Sequence, residues 1–288
     1  MRKLRDVKNY IYVLPALIFL LLFTVYPILK SAYLSFFETD SVYSFMNYVG
    51  LSNYREMFAD KTFWVVLKNT FVFAILQVIL STVLGFLFAL IANNRYVKIK
   101  GLFRVASFYP YVCPWSVVAM IWMYLLHPSR GMINAVFKSR INWLNSYQYT
   151  LFVLILITVW KTVGFNLLLF LSGMQSIPHE LYEAYSLESK KSIKAIRHIT
   201  IPLLGPTTFV SILLSIVGAF QSVDIIYIMT QGRPGNSSNV LVYYIYQKGI
   251  ASWNIGYASA LSTVLVVLLL LFTAIYIRYG ERIVKYDE

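Results

Sequence analysis

The sequence predicts an all-α polytopic membrane protein with six transmembrane helices and a helix–turn–helix loop on the cytoplasmic side. Three observations carry that prediction. Of 288 residues, 59% are hydrophobic and only 13% charged, a composition too apolar for a water-soluble globule. Six separate stretches approach the ~20 apolar residues that a bilayer-crossing helix needs. The longest amphipathic stretch, 176–206, lies between the fourth and fifth of them. The chain reads as one transmembrane domain over 1–288.

The first span, 11–29, is long for a signal-peptide core and lacks a small-x-small cleavage site, so it reads as a retained anchor. Residues 30–64 are polar and aromatic-rich, as suits a membrane interface. The second span, 65–91, is the longest and has room to tilt. The third, 103–126, holds Pro110 and Pro114, which interrupt a helical hydrogen-bond ladder and imply a bend, either a hinge or a static kink. Residues 127–148, with Trp143, form a second interfacial stretch before the fourth span, 149–171. The fifth covers 207–229 and ends near Gly232-Arg233-Pro234-Gly235-Asn236, a tight-turn sequence. The sixth covers 257–277.

In the amphipathic stretch, Pro178 suits the first position of a helix, where its missing N–H costs nothing. Glu180 and Glu183 fall in the early turns, where negative charge suits the helix dipole. This predicts a helix from Pro178 to about Leu187. Ser189 caps a second helix in which Ile193, Ile196 and Ile199 oppose Lys190, Lys191, Lys194 and Arg197, and Pro202 and Pro206 end or kink it.

Charge fixes the orientation. The N-terminal tail, the linker between spans two and three, the amphipathic loop and the C-terminal tail carry fifteen basic residues, against eight in the opposite segments. The positive-inside rule therefore places both termini and the loop in the cytoplasm. The net charge of +13 has no polar domain on which to form a nucleic-acid surface, so it is accounted for by topology.

Catalytic signatures are missing. No G-x-x-x-x-G-K-[ST] loop offers a grip on ATP phosphates, and no G-x-S-x-G elbow presents a nucleophile. His127, His179 and His198 are scattered, and Cys113 is the single cysteine, so neither a metal site nor an internal disulfide is expected.

Lys161 in the fourth span and Asp224 in the fifth stand out because ionisable groups at membrane depth face a cavity or a partner. Their distances from the outer helix ends differ by about six residues, a mismatch of roughly 9 Å at 1.5 Å per residue. Direct pairing and separate roles along a polar pathway both remain open. Gln77, Asn166 and Gln221 either join helices or meet a solute. Trp115, Trp122, Phe165 and Phe220 either pack or stack on sugar rings. The candidate pathway is Lys161, Asn166, Gln221 and Asp224.

Glu183-Ala184, Ser189, Ile199, Pro202 and Pro206 resemble the cytoplasmic EAA loop of ABC importer permeases, written EAA-x3-G with I-x-x-P-x-x-x-P further on. The chain departs from that pattern at Tyr185, for the second alanine, and at Ser189, for the glycine. IPHELYEA and ITIPLLGP around the loop, together with VGLSNYREMF, Asn69-Thr70 and IMTQGRPGNSSN, are similar to the carbohydrate-uptake branch, that of the maltose and glycerol-phosphate importers.

The resemblance implies that Glu183, Ala184, Ser189, Arg197 and Pro202 belong to a loop docking on a separate ATPase. It also implies a second, homologous permease as heterodimer partner, two cytoplasmic ATPase subunits that use the ATP, and an extracytoplasmic solute-binding protein. The resemblance further implies that this chain itself binds no cofactor and resides in a bacterial inner membrane. The expected solute is a sugar or oligosaccharide. Glycerol 3-phosphate or another polyol is the rival solute, and a stand-alone secondary transporter or channel is the rival of another class.

Overall fold

The computed structural model describes residues 12–39, 46–94, 98–188 and 192–283. Helices dominate because a membrane offers no water to satisfy backbone N–H and C=O groups, and a helix pairs them within one segment. In chain order the described elements are α1 (Tyr12–Leu34), the strands β1 (Phe37–Thr39) and β2 (Met46–Tyr48), α2 (Ser52–Ala59), α3 (Lys61–Asn93), α4 (Lys100–Val112), α5 (Trp115–Leu125), α6 (Met132–Val136) and α7 (Thr150–Gln175). After these come α8 (His179–Glu188), α9 (Ser192–Ala195), a five-residue π turn (Ile196–Thr200), α10 (Ile201–Leu203), α11 (Gly205–Phe220), α12 (Asp224–Met229), α13 (Leu241–Tyr246) and α14 (Ile255–Ile283).

Among the described residues five helical stretches are long and apolar enough to cross a membrane: α1, α3, α7, α11 with α12, and α14. A sixth crossing follows if the bent pair α4–α5 counts as one. That pair corrects the expected third span. Its two halves meet at 103°, far more than a proline kink. Pro110 lies within α4, which continues through it to Val112. The break falls at Cys113-Pro114, where Cys113 is extended (φ −63°, ψ 137°), as the residue before a proline prefers. The fifth span is also interrupted, between Phe220 and Asp224, and the first runs five residues beyond its expected end, to Leu34.

The chain forms two compact units, one from 1–64 with 244–268, the other from 65–243 with 269–288. In the first, β1 and β2 form an antiparallel ladder with Phe37 opposite Tyr48, a pairing the sequence reading did not anticipate. Asn53 fastens α2 to this hairpin by donating Nδ2–H to the carbonyls of Ser35 at 2.8 Å and Phe37 at 3.0 Å. Asp60 caps α3, accepting from the Thr62 N–H at 2.7 Å. Its second oxygen accepts from the hydroxyls of Tyr244 at 2.5 Å and Tyr257 at 3.2 Å.

The second unit is organised around α7, whose Leu167, Phe170, Leu171 and Met174 are buried with Ala89 and Ala92 of α3. α4 lies directly against α7. A Cβ on Gly164 would come within 2.1 Å of the Ser107 carbonyl oxygen and 2.6 Å of Phe108 Cα, so only glycine permits this approach. The close seating of α4 brings its C-terminal carbonyls beside α7.

Candidate functional site

The break between α4 and α5 creates an electrostatic requirement. In a continuous helix the carbonyl of residue 110 would accept from the N–H of residue 114, but Pro114 has none. The last carbonyls of α4 need another donor. Lys161, one turn before Gly164 on α7, supplies it. Its Nζ donates to the carbonyls of Pro110 at 2.9 Å, Tyr111 at 2.9 Å and Cys113 at 2.6 Å, which accounts for all three ammonium hydrogens. The Trp115 ring centroid lies 4.9 Å from the same nitrogen and that of Tyr111 5.8 Å, within cation–π range. Lys161 is only 5% exposed.

Beside this cluster is a cavity of about 650 Å³, whose wall includes Lys161, Asn166, Gln221 and Asp224. The four candidate pathway residues, drawn from two expected spans, thus line one space. They differ in what they do there. Asn166 is buried and joins helices, its Oδ1 accepting from Ser211 at 3.0 Å and its Nδ2–H donating to Ser215 at 3.3 Å. Gln221 and Asp224 are exposed at the interruption between α11 and α12. Among the described residues Lys161 and Asp224 form no ion pair.

Gln77 on α3 also lines the cavity. Its Nε2–H donates to Thr162 at 3.3 Å, while its buried Oε1 has no partner among the described residues. Of the aromatic candidates, Trp115 and Phe165 face the cavity. Tyr111, not among the residues the sequence singles out, stacks on Phe165 with ring centroids 5.0 Å apart. Trp122 packs edge-on against Trp160 instead, and Phe220 meets Phe71. Tyr111 had a signal in the sequence, since it lies between the two prolines.

The loop forms the second candidate site. α8 begins directly after Pro178 with Glu180 in its first turn, close to expectation. Glu183 and Arg197 are exposed, whereas Ala184 and Pro202 line a groove of about 470 Å³ with Tyr185 and His198. Ser189, with Lys190 and Lys191, lies outside the described residues. Pro202 does not end the second half of the loop, which continues to Leu203. The π turn just before it breaks the regular ladder where the proline ring and missing N–H would otherwise conflict with it.

Two cross-links hold the halves together. The Tyr182 hydroxyl lies 2.9 Å from Thr200 Oγ1. The Tyr185 hydroxyl lies 3.1 Å from His198 Nδ1, with the rings stacked at 27°. Tyr182 and Ile199 also pack against the buried cluster of Leu167, Phe170 and Met174, so the loop rests on the helix that carries Lys161 and Asn166.

A bundle of membrane-crossing helices with a polar cavity at helix breaks and a docking-type loop on its core defines a transport protein. Residues 81–285 match the family described as binding-protein-dependent transport system inner membrane component. The chain is 32% identical to the trehalose/maltose transport system permease protein MalF of Thermococcus litoralis, over 97% of this chain and 96% of that one. It is also 32% identical to the sn-glycerol-3-phosphate transport system permease protein UgpA of Agrobacterium fabrum, over 96% of each. Its fold matches, with a TM-score of 0.85 and 22% identity over 99% of this chain and 100% of the other, a chain in the crystal structure of a bacterial ABC transporter involved in the import of the acidic polysaccharide alginate.

The chain therefore belongs to the family of binding-protein-dependent inner-membrane transport components. It is a permease and not an enzyme, and ATP hydrolysis resides on separate subunits.

Proposed function

We propose that this chain is one half of a heterodimeric permease that passes a sugar or oligosaccharide, delivered by an extracytoplasmic binding protein, through the cavity beside Lys161. The names of its relatives support a carbohydrate-type solute. In this reading both termini and the 176–206 loop are cytoplasmic, as the basic residues of the loop favour. One of two ATPase subunits grips the loop through Glu183, Ala184, Arg197 and Pro202, with Ser189 at the turn, and the ATPases bind the ATP.

The observation that carries the coupling is the seating of Tyr182 and Ile199 on the Leu167–Phe170–Met174 cluster. Interiors packed this closely transmit displacement instead of absorbing it. A movement of the loop is delivered to α7 and from there to the cavity wall. ATP-driven closure then biases the spans between inward-open and outward-open arrangements.

Glu183→Lys reverses the charge on an exposed loop residue. Expressed with its sister permease and ATPases, this variant is expected to insert normally but lose ATPase co-purification and uptake. Retention of both would overturn the docking role.

A further inference from the structure

The two charged groups on the cavity wall are not equivalent. The three N–H bonds of Lys161 point at three backbone carbonyls, and the side chain is buried under Trp115 and Tyr111. It has no hydrogen left to give an incoming anion. Asp224 is exposed and, among the described residues, makes no hydrogen bond or ion pair. Gln77 adds a second acceptor without a partner, its Oε1. The described part of the wall thus offers the Asp224 carboxylate, the acceptor of Gln77 and the exposed amide of Gln221, together with aromatic faces, and its one exposed charged side chain is Asp224.

Acceptors of this kind match a solute that brings many hydroxyl donors and no negative charge. A phosphate or uronate would meet the exposed Asp224 carboxylate, while the wall's cation, Lys161, is buried with its hydrogens already given to backbone carbonyls and cannot ligate it, and like charges brought together in a partly dehydrated site repel strongly. We propose that Asp224 makes this cavity selective against anions, so that the solute class is an uncharged, hydroxyl-rich carbohydrate, and polyol phosphates and acidic sugars are turned away. This rests on the permease reading above. It also sets this chain apart from a relative named for glycerol 3-phosphate and from the structural neighbour involved in alginate import.

The test needs no knowledge of the solute. Cys113 is the only cysteine of this chain, so Cys113→Ala leaves the chain itself without a thiol, and labelling is read on this chain after it is separated from its partners. Gly218 lines the same cavity, and a Cβ there meets nothing within 4 Å, so Gly218→Cys adds a reporter without a clash. The full chain, assembled with its sister permease and ATPases, is treated with a cationic (trimethylammonium) and an anionic (sulfonate) methanethiosulfonate, and each rate is normalised to that of a free thiol in solution.

The cationic reagent is expected to react roughly fivefold faster, the scale of one unpaired charge acting on probes of opposite sign in a wet site. Asp224→Asn should bring the ratio close to one. A faster anionic reagent, or a ratio unmoved by Asp224→Asn, overturns the proposal. The permease reading fails separately, through the Glu183→Lys uptake and ATPase measurements, which do not depend on this ratio.

Discussion

Lys161 Nζ stands 2.6 Å from the carbonyl oxygen of Cys113, and through that bond a side chain of α7 closes the backbone of a helix pair bent by 103°. With the carbonyls of Pro110 and Tyr111 it makes three bonds from one ammonium. Each buried acceptor left without a donor costs about 1–3 kcal/mol. Lys161→Met is therefore expected to destabilise the protein by ~3 kcal/mol or more, read as a lower unfolding midpoint in detergent. Lys161→Arg should fall between, because a planar fork cannot converge on three carbonyls as a tetrahedral ammonium does.

The close approach of α4 to α7 makes a second prediction. Gly164→Leu forces a side chain against the backbone of Ser107 and Phe108, and overpacking of this kind costs about 1–3 kcal/mol or more. Gly101→Ala, where a Cβ meets nothing within 4 Å, is the control and should leave the same midpoint unchanged or slightly raised, since alanine favours helix over glycine. Equal effects at the two positions would remove the case for tight α4–α7 seating.

What the sequence revealed and what it hid divide along physical lines. Apolar runs of bilayer length show directly in composition, and five of the six expected spans are present as long helices, within a few residues at most ends. Lys161 and Asp224 were legible as candidates because charge in a hydrophobic run is costly. The helical rise set them at different depths and left their pairing open, and among the described residues no ion pair joins them. The true partners of Lys161 were hidden because they are backbone carbonyls, which every residue has and no side-chain pattern marks. Pro110 and Pro114 signalled a bend, but its size depends on how α4 packs on α7. The interruption at 221–223 had no proline or glycine pair to announce it. The β1–β2 hairpin is three residues per strand, too short for alternation to register.

In the loop, Tyr185 stands where the resembled pattern has alanine, and the structure gives it work that alanine cannot do. It stacks on His198 and lies within hydrogen-bond distance of its Nδ1. Tyr185→Ala should weaken the link between the loop's two halves by about 1–2 kcal/mol, the sum of an aromatic pair and a half-exposed hydrogen bond. Hydrogen exchange at the amides of 196–203 should rise accordingly. Because the two rings form one contact, Tyr185→Ala with His198→Ala should cost less than the two single changes added together.

The Asp60–Tyr244 bond predicts a pH signature. Burial alone would raise the Asp60 pKa, but the hydrogen bonds from Tyr244, the Thr62 N–H and Tyr257 outweigh it, and the value falls below that of an ordinary aspartate. Tyr244 moves the other way, raised by burial first and then by its bond to Asp60. The signs follow from linkage. A depressed carboxyl stabilises the fold fully above its unfolded value, about 3.9, and loses that contribution as pH falls through the lower folded value. A raised phenol favours the protonated form, so its contribution is complete below its unfolded value, about 10, and is lost only as pH climbs through the higher folded one. Tyr244→Phe should therefore lower the unfolding midpoint by an amount that is constant across neutral pH, worth about 1 kcal/mol for a charged bond discounted for its partial exposure to solvent. The gap to the parent protein should narrow below about pH 4, where Asp60 protonates in the unfolded chain. Unfolding midpoints of the two proteins measured side by side from acid to alkaline pH check this, and a gap that widened toward acid would show that the bond does not favour the ionised carboxylate.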